Sequence, residues 1–192
     1  KYAEIAERMG SGDYSTPYVV EDEKDHLGSS LNYLLGYLKA THRKETDQTW
    51  VSEGKELISR ILRLYNNLED LSFNVLKSIS DYINVEQGAF YVYNESTEIL
   101  SCSSTYAYNR RKYIKEEFKI GQGLVGQCAF EKDFIYRTEI PEDYITISTG
   151  IIGDQKPSSI LLIPLITNEK LLGVLEFAST NKKIPKLSIQ FL

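Results

Sequence analysis

The chain has 192 residues, 42% apolar and 26% charged, the balance of ordinary globular material with room for one domain plus a smaller element. A formal net charge of -5, with lysines and arginines scattered among acids, leaves no basic stripe and argues against a nucleic-acid partner. The longest apolar run, Ile160 to Ile166, is far short of the roughly 20 residues that cross a bilayer, so no membrane contact is expected, and its Pro164 suits a strand edge or bulge.

Near the N-terminus Tyr2, Ile5 and Met9 recur at helical spacing until Gly10-Ser-Gly-Asp13 breaks the pattern. A polar connector with Ser15-Thr-Pro17 and the acidic run Glu21 to Asp25 follows. Leu27, Leu31, Leu34 and Leu38 then resume the seam, with Asp25 placed to cap the second helix. Two short seams joined by an extended connector bury little alone, which favours a dimer.

From Trp50 the alternating spacing of three and four is more regular: Trp50, Gly54, Leu57, Ile61, Leu64, Leu68, Leu71, Val75 and Ser78. This heptad stripe predicts one coiled-coil helix over residues 43–84, with Trp50, Leu57, Ile61, Leu64, Leu68, Leu71 and Val75 as its dimer seam. The stripe is two residues out of phase with the Leu27–Leu38 row, so the polar stretch Thr41 to Thr49 is expected to rewind, splay or hinge. A second row, Ile58, Leu62, Tyr65, Phe73 and Ile79, is left to pack on the chain's own sheet.

Gly88 to Tyr93 and Ile99 to Tyr108 form a predicted hairpin around Asn94 to Glu98. A glycine-opened helix at Gly121, a short strand near Phe134 to Arg137, a loop from Glu139 to Lys156, a second hairpin over Ser159 to Ser179 and an exit helix from Leu187 complete an α+β domain over residues 85–192.

Gly121-Gln-Gly-Leu-Val-Gly126 matches GxGxxG, yet the preceding Phe118-Lys-Ile120 is short and follows an antiparallel hairpin, which is not a dinucleotide-binding context. Close packing of a helix on a sheet accounts for the glycines better. No histidine follows His42, which removes histidine-ligated haem, a Ser-His-Asp triad and histidine general-base chemistry from this domain. Cys102 and Cys128 form no CxxC pair, which points to a reducing compartment and away from a disulfide or zinc framework. The chain begins at Lys1 without methionine and stops as a new apolar pattern opens at Gln190-Phe-Leu192, so it is read as an excised fragment.

Phe118-Lys-Ile-Gly-Gln-Gly-Leu-Val-Gly126, Ile140-Pro-Glu-Asp-Tyr-Ile145, Ile160 to Ile166 and Leu172-Gly-Val-Leu-Glu-Phe-Ala178 together resemble a GAF domain, a small sensory module. The helix–connector–helix of residues 1–42, with Asp25-His-Leu-Gly28 where the family has Asp-Glu-Xaa-Gly, resembles the HAMP signal-transfer module. The resemblance implies a parallel homodimer, the regulatory fragment of a membrane-anchored sensor histidine kinase on the cytoplasmic side of the inner membrane, relaying movement to an output domain. It implies no enzyme activity in this fragment. No haem or bilin is expected, since neither cysteine sits in a bilin-attachment motif, and the motif of cyclic-nucleotide-binding relatives is absent. A small-molecule pocket is expected from Tyr106, Tyr108, Arg110, Phe118, Tyr144, Thr146, Ser148 and Thr149, with Tyr136, Ile145, Ile147 and Phe177 also in reach, an apolar and aromatic set with a few polar groups. The rival reading is a GAF-fold thiol enzyme of the free methionine sulfoxide reductase type, using Cys102 and Cys128.

Overall fold

The structure is a computed structural model; it describes residues 2–15, 25–107, 117–140, 147–149, 153–180 and 183–192. The chain divides into two compact units, Lys1–Glu53 and Gly54–Leu192.

In the first unit, helix α1 (Tyr2–Gly10) is followed by helix α2, which starts at His26. Asp25 caps α2 as its position predicts: its Oδ1 accepts from the Gly28 N–H at 2.7 Å and from the Tyr2 hydroxyl, also at 2.7 Å. Tyr14 meets His42 at 5.6 Å between ring centroids. With Tyr2 beside Asp25 and Tyr14 beside His42, the α1 segment runs parallel to the first half of α2. Met9 and Leu35 are buried, whereas Leu27, Leu34, Tyr33 and Tyr37 stay exposed.

Two expectations about the long helix change. α2 runs from His26 to Leu64 without interruption, so the Thr41 to Thr49 stretch neither rewinds nor breaks. That stretch holds lysine, arginine, glutamate and glutamine but no glycine or proline, and helix propensity carries it through. The break comes later, where the heptad spacing gave no sign of one: helix α3 (Leu68–Ile83) starts afresh. Asn67, in an extended conformation, accepts from the Asp70 N–H at 2.8 Å and donates through its amide to the Asp70 carboxylate, a cap that competes with helix continuation.

After this break the chain turns back. A Cβ built on Gly54 would lie 2.6 Å from the Tyr82 ring and 2.5 Å from Phe191, so α2 around Gly54, ten residues before its end, lies against the end of α3, as in an αα-hairpin with a short connection. A straight helix would hold those residues about 40 Å apart.

Strands β1 (Gln87–Asn94), β2 (Ile99–Tyr106), β3 (Glu117–Lys119), β4 (Ile135–Arg137), β7 (Ser159–Thr167) and β8 (Lys170–Ser179) form one antiparallel sheet in the order β3-β2-β1-β8-β7-β4. Strands β5 (Ile147–Thr149) and β6 (Gly153–Gln155) pair separately, inside the stretch expected to be loop. Pro164 lies on β7 beyond its pairing with β4, which covers only Ile160 to Leu162. The missing N–H therefore leaves no gap in the ladder there.

Period-two alternation sorts the sheet into two faces. On one, Phe177 is fully buried and packs by Gly88 and Leu76 of α3. On the other, Ala89, Tyr91, Leu100, Ile160, Leu162 and Val174 enclose Val125, Cys128 and Ala129 of helix α4 (Gly123–Glu131). Helix α5 (Lys186–Phe191) adds Phe191, which meets Tyr82 of α3 at 5.3 Å.

Candidate functional site

The α4 face carries Phe118, one of the expected pocket residues, and its frame is set by three glycines. Gly121 and Gly123 adopt φ of +80° and +62°, a region open to glycine without strain. The Gly121 N–H donates to the Gly126 carbonyl at 2.8 Å, and the Gln122 N–H to the Lys119 carbonyl at 3.0 Å. Gly126 lets α4 meet β3 so closely that a Cβ there would lie 2.2 Å from the Lys119 carbonyl oxygen. The glycine run is thus a packing device that seats α4 on the sheet.

Phe118, from β3, stands edge-on to Tyr91 at 5.4 Å with an interplanar angle of 87°. The Tyr91 hydroxyl donates to Glu176 Oε2 at 3.2 Å, and both residues are buried. A carboxylate within the sheet is costly to bury unless hydrogen-bonded, so this pair is a polar feature of the α4 face that the sequence reading missed. Its signal was available: Glu176 interrupts the apolar run Leu172 to Ala178 at an inward position.

The other expected pocket residues scatter. Tyr106 lies on the opposite face, where its hydroxyl donates to Asp81 of α3 at 3.0 Å and its ring meets Phe73 at 6.4 Å. That bond and partial burial raise the Tyr106 pKa. Phe177 is core on that face too. Tyr136 pairs with Leu161 on β4, its hydroxyl buried without a partner among the described residues. Ser148, Thr149 and Ile147 are on β5; Tyr108, Arg110, Tyr144, Ile145 and Thr146 lie outside the described residues. Of the set, the structure joins only Phe118 to the Tyr91–Glu176 pair.

Cys128 is fully buried. Burial pushes its thiol up to about 12, helped by the negative charges of Asp133, Glu131 and Glu176, and its Sγ donates to the Asp133 carbonyl at 3.4 Å. A thiol held neutral this firmly is a poor nucleophile. At pH 8 a disulfide reagent will leave Cys128 unmodified in the folded chain and reach it after denaturation; quantitative reaction without denaturant would contradict this. The folded thiol keeps its proton above the ordinary value of 9.0, so its contribution to stability is intact below pH 9. It is lost as pH rises from there toward about 12, because only the unfolded chain ionises in that window.

Among the described residues no group of three or more His, Cys, Asp or Glu side chains gathers to hold a metal ion, and no helix is long and apolar enough to cross a membrane.

A curled antiparallel six-stranded sheet carrying α3 on one face and α4 on the other defines the GAF fold. Residues 66–190 match the GAF domain model, more than half of the chain, and the chain belongs to that family. Among solved structures it is similar to the GAF domain of a phosphoenolpyruvate-protein phosphotransferase from Coxiella burnetii, at 17% identity and TM-score 0.60, covering 73% of this chain and 84% of that one. The GAF domain of the Acinetobacter phosphotransferase is similar at 15% identity and TM-score 0.58, covering 76% and 85%. Free methionine-R-sulfoxide reductase from Neisseria meningitidis, solved with its substrate, is similar at 13% identity and TM-score 0.55, covering 73% and 82%. These likenesses establish the fold. No curated protein sequence matches the chain.

Proposed function

We propose that this chain is the regulatory fragment of a dimeric signal-transduction protein of the sensor histidine kinase type, with a HAMP-like segment over residues 1–42 and a GAF domain that senses a small molecule on its α4 face. The observation that carries the reading is α2 itself. Helix α2 (His26–Leu64) packs its Gly54 against Tyr82 of α3 and Phe191 of α5 in the GAF domain. A shift of α3 or α5 on the sheet is thereby felt by α2. A ligand biases two such states only by its differential affinity for them, typically about 1 to 3 kcal/mol of coupling.

The capped, parallel α1–α2 arrangement supports the HAMP-like reading, and with it a full-length protein anchored at the cytoplasmic side of the inner membrane. In the proposed dimer two copies of α2 pair in parallel, while Leu68, Leu71 and Val75 belong to the returning helix. Of the expected seam, Ile61 and Val75 are already buried within the chain, whereas Leu64 and Leu68 are 65% and 53% exposed. Leu64→Asp will therefore leave the fold intact and reduce the dimer to monomer in light scattering. An unchanged dimer would refute the role of this seam. The alternative, a thiol reductase, is opposed by the buried, firmly protonated Cys128.

A further inference from the structure

Away from Phe118 and the Tyr91–Glu176 pair, a groove of about 540 Å³ opens between the C-terminal end of α4, the β1–β2 turn and the β7–β8 turn. None of its lining residues belongs to the candidate pocket described above. Tyr93 and Leu171 contribute to its apolar surface, as do Phe130 and Leu172, which are 70% and 52% exposed. Large apolar side chains gathered around a concavity mark a surface that something covers.

The rim is charged, and its charges are held in an uncommon way. Glu98, Lys132 and Glu169 line the groove and adopt φ of 55°, 53° and 65°, the left-handed region that glycine occupies without strain. They come from three separate turns. The other described non-glycine residues with positive φ are Asn84, Ala107 and Asn168, so every charged residue in that conformation among the described residues borders this groove. Local structure fixes these positions: Lys132 is the C-cap of α4, its N–H donating to the Cys128 carbonyl, and Glu169 follows Asn168 in the two-residue turn that joins Thr167 to Lys170.

The balance of charge selects the ligand. Glu95, Glu98 and Glu169 line the groove together with Lys132 and Lys170, and the Lys132 ammonium already donates to the Glu169 backbone carbonyl at 2.8 Å. Carboxylates are in excess, and two aromatic rings stand beside them. We propose that this groove binds an amphipathic cation, an ammonium head on an apolar or aromatic body. The body lies on Phe130 and Leu172, and the head sits among the carboxylates, where the ring faces of Tyr93 and Phe130 add cation–π attraction.

The test is a titration of the full chain with benzyltrimethylammonium chloride, followed by amide chemical shifts, with benzyl alcohol and benzoate as neutral and anionic counterparts. Saturable shifts at residues 95–98, 130–132 and 169–172 are expected for the cation. Phe130→Ser and Glu98→Gln should each weaken binding about fivefold, and Lys170→Gln should tighten it. All three sites are exposed, and unchanged melting of each variant verifies that the fold is kept. Equal binding of benzyl alcohol, tighter binding of benzoate, no saturable shift, or indifference to Phe130→Ser would overturn the proposal. Any of these results leaves the sensory reading untouched, because the two sites share no residue.

Discussion

Replacing Gly126 with alanine is expected to cost about 3 kcal/mol of stability or more, the upper range for overpacking a well-filled site. The added Cβ would lie 2.2 Å from the Lys119 carbonyl oxygen and 3.1 Å from the Gly121 nitrogen. Both are backbone atoms held by the bonds that close the glycine run, so no side chain can rotate to make room. α4 would have to lift from β3, opening the core around Val125, Cys128 and Ala129. Urea denaturation measures the loss. Gly36→Ala is the internal control: its site is an exposed helix interior with nothing within 4 Å, and alanine there should stabilise by about 0.5 to 1 kcal/mol. A Gly126→Ala midpoint equal to that of the unmodified chain would mean that α4 does not sit on β3 at this spacing.

Phe177→Ala should be as damaging on the opposite face, at about 3 to 5 kcal/mol. Phe177 is fully buried and its ring lies 3.4 Å from the position a Gly88 Cβ would take, beside Leu76 of α3. Removing the ring leaves a cavity between α3 and the sheet that strands on both sides keep from collapsing. Thermal denaturation provides the comparison, with Leu172→Ala, half exposed on the same strand, expected to change stability by no more than about 0.5 kcal/mol. Equal effects at the two positions would contradict the burial of Phe177 between α3 and the sheet.

The two hairpins, the glycine-opened α4 and the exit helix were legible because each rests on local signals: alternation, turn residues and glycine placement. The end of α2 was not. Leu57, Ile61, Leu64, Leu68, Leu71 and Val75 keep heptad spacing through the break, since two helices that each bury one face produce the same pattern as one rod. Only the Asn66-Asn67 pair hinted at a cap, and its effect depends on α3 having a sheet to pack upon. Which face each expected pocket residue takes was not legible: Phe118 meets Tyr91 on the α4 face, whereas Tyr106 bonds Asp81 of α3 on the opposite face, and composition does not reveal the face of a strand residue beyond the bulge between Phe90 and Tyr91. Glu176 stands out as the one acid in the apolar run Leu172 to Ala178, but nothing in that run names Tyr91, 85 residues away, as its partner. The β5–β6 hairpin was hidden in a stretch rich in Thr, Ser and Gly, where strand and loop composition coincide.

Native mass spectrometry of freshly purified protein tests the dimeric sensor most directly, since it weighs the assembly together with anything small that it carries. The account predicts a species of twice the 22.0 kDa chain mass, accompanied by an added small mass that gentle activation strips away. A bare single chain as the sole species at high micromolar concentration would contradict it.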